Sequence, residues 1–299
     1  MAMSRAMEGR SFDSMDEANA FVQSAAVQQA IAAAAKASDL WGQAQEVAYD
    51  AWETKDFKRY ALARQALEID PRCSDAWLIL AEEERTWRKQ RRLFERAVAA
   101  ADMACVEERW LVDEEDQPRD LYRYLPGRSY LRAYMAFARF LMDGGYSREA
   151  RAVYEKMLER DPEDHMGARY EVVQLYHQPE DRGALRALLE RYAEDATCLP
   201  AYERLWLSLV EDEEEGVVQQ ADQAAREANP HVLGYLTGEA SVPKNLPDQI
   251  TMGGKDEAVS YFAMSFTWWL DNPKTKAWVM KQQQGPATGA GEAKGPGRA

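Results

Sequence analysis

Residues 129–162 read SYLRAYMAFARFLMDGGYSREARAVYEKMLERDP, and this 34-residue stretch decides the architecture. At 100° per residue, with Arg132 at zero, Tyr134, Phe137, Ala138 and Leu141 fall between about 140° and 240°, which is one apolar face of a helix. Gly145 supplies a turn. Ala150, Tyr154 and Met157 then repeat the alternation of small and bulky side chains on a second helix, which stops at Asp161-Pro162 because proline cannot continue one. Small residues let the two helices approach closely and large ones fill the space beside them. The stretch therefore predicts a helix pair.

The same phrasing recurs. ARQALEIDP at 63–71 ends on Asp-Pro, and ADQAAREANP at 221–230 ends on Asn-Pro. Asp75 to Ala81 reads as a first helix after Pro71, with Arg91 to Cys105 as its partner. Residues 168–192 read as a worn pair interrupted at Gln178-Pro179, and Tyr202 to Val210 opens the last copy. Repetition on this period predicts helix pairs that bury their apolar faces against their neighbours.

The unit at 129–162 resembles a tetratricopeptide repeat. The wider chain, over roughly residues 40–280, is similar to tetratricopeptide proteins related to the suppressor-of-tumorigenicity family. The resemblance is carried by ARQALEID-P-x-C-x-DAW near 70, GRSYLRA near 130, ANPHVLGYLTG near 230 and LPDQITMGGKDEAVSY near 250. It implies an all-α fold, a right-handed α-solenoid of helix pairs with a C-terminal capping helix, and a binding role that brings no catalytic residues. In such repeats the second, fifth, ninth and twelfth positions of the first helix line the inner groove. The matching positions here are Asp75, Leu78, Glu82 and Arg85 in one copy and Arg132, Met135, Arg139 and Met142 in the next. The latter four also form a second stripe by angle, between about 280° and 360°. A groove so lined would suit a peptide with an acidic residue beside apolar anchors, since arginine grips carboxylates and methionine adapts to irregular shapes. The alternative is that the methionines widen the core face and the arginines pair with acids on neighbouring helices.

Around the repeats, which are expected over 39–230, the sequence predicts a mobile leader with partial helix over 1–38. A Gly/Pro loop with an aromatic capping helix is expected over 231–280, and a disordered tail over 281–299. Trp268, Trp269 and Trp278 would close the exposed end of the stack. The acids at 8, 13, 16 and 17 argue against a secretory signal, and AVSYFAMSFTWWL at 258–270 is too short to cross a bilayer.

With 37 basic and 51 acidic residues the chain carries a formal charge of −14, which repels nucleic acid. Cys73, Cys105 and Cys198 lack Cys-x-x-Cys spacing, so a reducing compartment, the cytoplasm, is expected. His165, His177 and His231 each stand at a helix boundary without metal-ligand spacing, and no cofactor, metal or catalytic residue is expected. Gly253-Gly254-Lys255 lacks the rest of a phosphate-binding loop and reads as the entry to a helix whose first-turn acids suit its dipole. The reading is thus a noncatalytic adaptor for a protein or peptide, with no membrane or nucleic-acid partner and a homo-oligomer left open. The alternative is an enzyme, or an obligate enzyme subunit, with a site near the 243–257 loop.

Overall fold

Asp70, Asp161 and Asn229, the residues before Pro71, Pro162 and Pro230, are all buried. Each caps the turn that follows. Asp70 Oδ1 accepts from Arg72 N at 2.8 Å, Asp161 Oδ2 from His165 N at 2.8 Å and Asn229 Oδ1 from His231 N at 2.9 Å. The Asx-Pro ending thus terminates a helix and also satisfies the backbone that leaves it. The computed structural model describes residues 14, 20, 21, 23, 24, 39–55 and 57–283. Most of the expected leader over 1–38, and 284–299 of the expected tail, lie outside the described residues. Among the described residues the fold is all-helical with no strand, and Val112 and Pro118 form an isolated bridge.

The chain divides into two units, 1–172 and 173–299, and the division falls inside the stretch expected to hold the repeats. The first unit holds α1 (Leu40–Glu53), α2 (Phe57–Ile69), α3 (Ser74–Glu83), α4 (Trp87–Glu107), α5 (Gly127–Asp143), α6 (Ser147–Arg160) and the short α7 (Ala168–Val172). Sequence neighbours pack as pairs: α1 on α2, α3 on α4 and α5 on α6. The first helices also pack on one another, α1 on α3 and α3 on α5, and each second helix meets the next first helix. Alanine makes this closeness possible, because Ala44, Ala48, Ala51, Ala63, Ala66 and Ala76 have no solvent exposure. Gly145, at φ +77°, turns α5 into α6 in a conformation that a side chain would strain. The connection between α4 and α5 carries the acidic run 113–116 at its surface. Its Trp110 and Leu121 are buried, and Trp110 meets Trp41 edge-on at 4.8 Å.

In the second unit, 3-10 turns at Val173–Leu175 and Pro179–Asp181 lead into α8 (Arg182–Arg191). Helices α9 (Cys198–Val210) and α10 (Glu215–Ala228) pack as a pair. They are followed by α11 (Val232–Leu236), α12 (Lys255–Asp271) and α13 (Pro273–Gln283), three helices where the sequence suggested one. Pro273 opens α13 at a position where a missing N–H costs nothing, and Asn272 Oδ1 accepts from Lys274 N at 3.0 Å. α12 packs on α9, α11 and α13. Trp268 and Trp269 are buried, Trp278 is half-buried, and Trp206 Nε1 donates to the Trp268 carbonyl at 3.1 Å.

Candidate functional site

The first helices of the three pairs in unit one meet at a buried polar ladder. Asp75 on α3 has no solvent exposure. It accepts Gln45 Nε2 of α1 at 2.5 Å and Arg132 Nε of α5 at 3.1 Å, with Arg132 Nη2 on the same oxygen as Gln45. The Arg132 guanidinium lies 5.0 Å from the Trp52 ring centroid and 6.0 Å from that of Tyr49, both on α1. A buried carboxylate needs such partners, because desolvation of an unpaired charge costs several kcal/mol.

Of the positions expected to line the groove, Leu78 and Met135 are buried along with Asp75. Arg139 Nη2 pairs with Glu171 of α7 at 2.7 Å, and Glu82 pairs with Arg59 of α2. Glu82, Arg85 and Arg139 face solvent, while Arg132 and Met142 are half-buried. Of the eight residues, then, Asp75 and Arg132 are brought together, and the arginines at 132 and 139 already hold acids of their own chain.

The 243–257 segment ends in a staple. Glu257 is buried, and its carboxylate accepts Cys198 N at 2.9 Å, Asn229 Nδ2 at 2.8 Å and Gly253 N at 2.8 Å. Asn229 Nδ2 donates also to the Gly254 carbonyl at 2.9 Å. The two motifs near 230 and 250 are therefore bonded to each other. Asp256 accepts Thr251 N at 2.8 Å, and hydrogen bonding from the Thr251 side chain first, then from that backbone N–H, holds its carboxyl below the usual range. A cleft of about 860 Å³ opens beside them, with Arg226, His231, Lys255, Lys281 and Glu239 on its walls. Arg226 is tied to Asp222 at 2.7 Å, and Lys255 is the part of the 243–257 segment that lines this cleft.

Two histidines do more than mark helix boundaries. His177 Nε2 lies 2.7 Å from Glu203 Oε2, its ring stacks on Trp268 at 4.1 Å and it meets Trp206 edge-on at 4.6 Å. Glu203, fully buried, also accepts Tyr261 OH at 2.8 Å and Trp268 Nε1 at 3.2 Å. The partners are 26 and 58 residues apart in sequence, so no local spacing announces this cluster. His165 stacks on Tyr122 at 4.5 Å and lies 2.8 Å from Asp161 through Nδ1. Asp120, Asp161 and His165 bring donor atoms within 4.8 Å of one another, a set chemically able to hold a divalent cation. Their present bonds lock turns: Asp120 Oδ1 accepts Tyr122 N at 2.9 Å and Arg123 N at 3.0 Å.

The thiols are buried and free. Burial pushes Cys73 up to about 12, with Asp75 adding to it, and Cys105 up to about 11. Burial raises Cys198 as well, with Glu257 beside it. A thiol in that state is a poor nucleophile at neutral pH.

No family model, curated protein or solved structure matches the chain.

Proposed function

We propose that this chain is a tetratricopeptide-like repeat adaptor that holds a peptide or helix of another protein and catalyses nothing itself. The observation that carries the reading is the side-by-side packing of α1, α3 and α5, each with its own second helix, fastened through Gln45, Asp75 and Arg132. Stacked pairs of this kind form rigid platforms with long neighbouring grooves, and such surfaces lend themselves to peptide recognition. The reading carries with it a right-handed solenoid, a partner that is protein and not nucleic acid, and a cytoplasmic setting in which the cysteines stay reduced. The test is capture on the immobilised full chain, with mass spectrometry and competition by free chain. A partner displaced in a saturable way is expected, and a capture list that free chain does not alter would remove the adaptor reading.

A further inference from the structure

Unit one has a groove whose chemistry differs from that of the first-helix face. It has a volume of about 350 Å³ and lies among α2, α3 and α4. Leu67, Trp77, Leu80 and Leu93 make its apolar lining, and Tyr60, Arg64, Glu68 and Arg96 complete it. On α2, Phe57 and Tyr60 are 81% and 45% exposed, one helical turn apart on the side that carries Arg64. The Arg96 guanidinium stacks over Trp77 at 5.1 Å, so charge and apolar surface meet at one place.

The helix on the far wall is unusual in its charge. From Trp87 to Arg96 it reads WRKQRRLFER, and its first turn contains no acid. Cations at a helix N-terminus oppose the macrodipole, so helix stability does not account for them. Arg91 is accounted for by packing, since it pairs with Glu95 at 2.9 Å and reaches Glu149 of α6. Arg88, Lys89, Arg92 and Arg96 are exposed and fall within about 100° of one another around the helix, on the side that also presents Leu93. In a chain of net charge −14 this stripe is a local reversal of sign. Glu68 is the acid among the groove's lining residues.

We propose that this groove, and not the first-helix face, is where the partner docks, and that the partner presents an acidic amphipathic segment. The proposal rests on the adaptor reading and names the site within it. Apolar anchors of the segment enter over Leu67, Trp77 and Leu93, while its carboxylates meet Lys89, Arg92 and Arg96. Arginine holds a carboxylate in two-pronged fashion, and opposite fields raise the rate of encounter.

The probe is a fluorescein-labelled 18-residue peptide of leucine and glutamate, with leucines spaced to form one helical face; a scrambled peptide of the same composition and an 18-residue polyglutamate are the controls. The full chain is expected to bind the patterned peptide more tightly than both controls, and to lose affinity as salt rises. Lys89→Glu/Arg92→Glu and Tyr60→Ala should each weaken it by about tenfold or more with an unchanged melting temperature, while Lys276→Glu on α13 leaves it unchanged. Equal binding of scrambled and patterned peptides, tighter binding of a single-stranded oligonucleotide, or self-association that the double variant abolishes would each overturn the proposal. A double variant that still captures the wild-type partner would remove this groove and leave the adaptor reading standing. Failure of the wild-type chain to capture any partner would instead count against that reading.

Discussion

Arg132 on α5 covers the carboxylate of Asp75 on α3, and the two residues stand 57 positions apart in sequence. Asp75 has no exposure of its own, whereas a quarter of the Arg132 side chain remains in contact with solvent. The pair therefore neutralises a charge buried between two helix pairs. Its value lies less in attraction than in what its loss would leave behind, a buried carboxylate supported by Gln45 alone.

Arg132→Leu should accordingly cost about 3 kcal/mol, and Asp75→Ala a similar amount, with the double variant costing much less than the sum. Because the chain has two units, the loss is read segment by segment. Hydrogen exchange read by mass spectrometry should show loss of protection in α1, α3 and α5. Protection unchanged in α1 would mean that the ladder does not fasten the first helices.

Glu203 sets a comparable test for unit two. Its carboxylate takes Tyr261 OH and Trp268 Nε1 and faces His177 Nε2, all in an aromatic interior. Glu203→Ala strands these groups without water and should cost about 3 kcal/mol, whereas Glu203→Gln keeps one acceptor and should cost less. Tryptophan emission should shift to the red in urea at a lower midpoint for the alanine variant than for the glutamine variant. Equal midpoints would show that the hydrogen bonds at this residue carry little of the stability.

The thiols give a pH dependence with a definite sign. In the folded chain burial pushes Cys73 up to about 12 and Cys105 up to about 11, against an ordinary value of 9.0. Between those values the unfolded chain releases protons that the folded chain keeps. The thiols' contribution is present below about pH 9 and is lost as pH rises from there to about 11 for Cys105 and about 12 for Cys73, with a slope approaching about 1.4 kcal/mol per pH unit for each thiol. Urea midpoints from pH 7 to 10.5 should decline for the wild-type chain and decline less for Cys73→Ala/Cys105→Ala. A thiol reagent at pH 8 should label the folded chain slowly and all three cysteines at once in guanidinium.

Much of the fold was legible because its signals are local. The apolar period of α5, Gly145 in the turn and the Asx-Pro endings each act over a few residues, and the packing of α1 with α2, α3 with α4 and α5 with α6 follows from them. The candidate site was less legible. Positions carried over from the repeat resemblance put Asp75, Leu78 and Met135 on a groove, whereas all three are buried, and the Asp75–Arg132 pairing spans 57 residues that no helical period encodes. The His177 cluster rests on contacts across 26 and 58 residues, which no helical period encodes. The basic stripe of α4 could have been found, since WRKQRRLFER stands out in an acidic chain and opposes the dipole of the helix it begins.

Glu257 and Asn229 join the two motifs near 250 and 230 through a 2.8 Å hydrogen bond. The Glu257 carboxylate bonds the N-terminal turn of its own helix through Gly253 N, the start of α9 through Cys198 N and the end of α10 through Asn229 Nδ2. Glu257→Ala leaves these donors buried and unpaired, so a loss of about 3 kcal/mol is expected, concentrated in the amides around 198, 229 and 253. Asn229→Ala removes one of those bonds together with the ones to the Gly254 carbonyl and from His231 N, and the two variants should couple by about 1 kcal/mol because they share a bond. Asp256→Asn is the contrast at the neighbouring position: its carboxylate is exposed and holds Thr251 N alone among distant backbone groups. That carboxyl titrates below the ordinary aspartate value, so its contribution is present above about pH 4 and is lost as pH falls further. The Thr251 amide should exchange faster in Asp256→Asn at pH 7 while α9 and α10 keep their protection. If Glu257→Ala behaves in the same confined way, the carboxylate caps its own helix and does not fasten the three segments together.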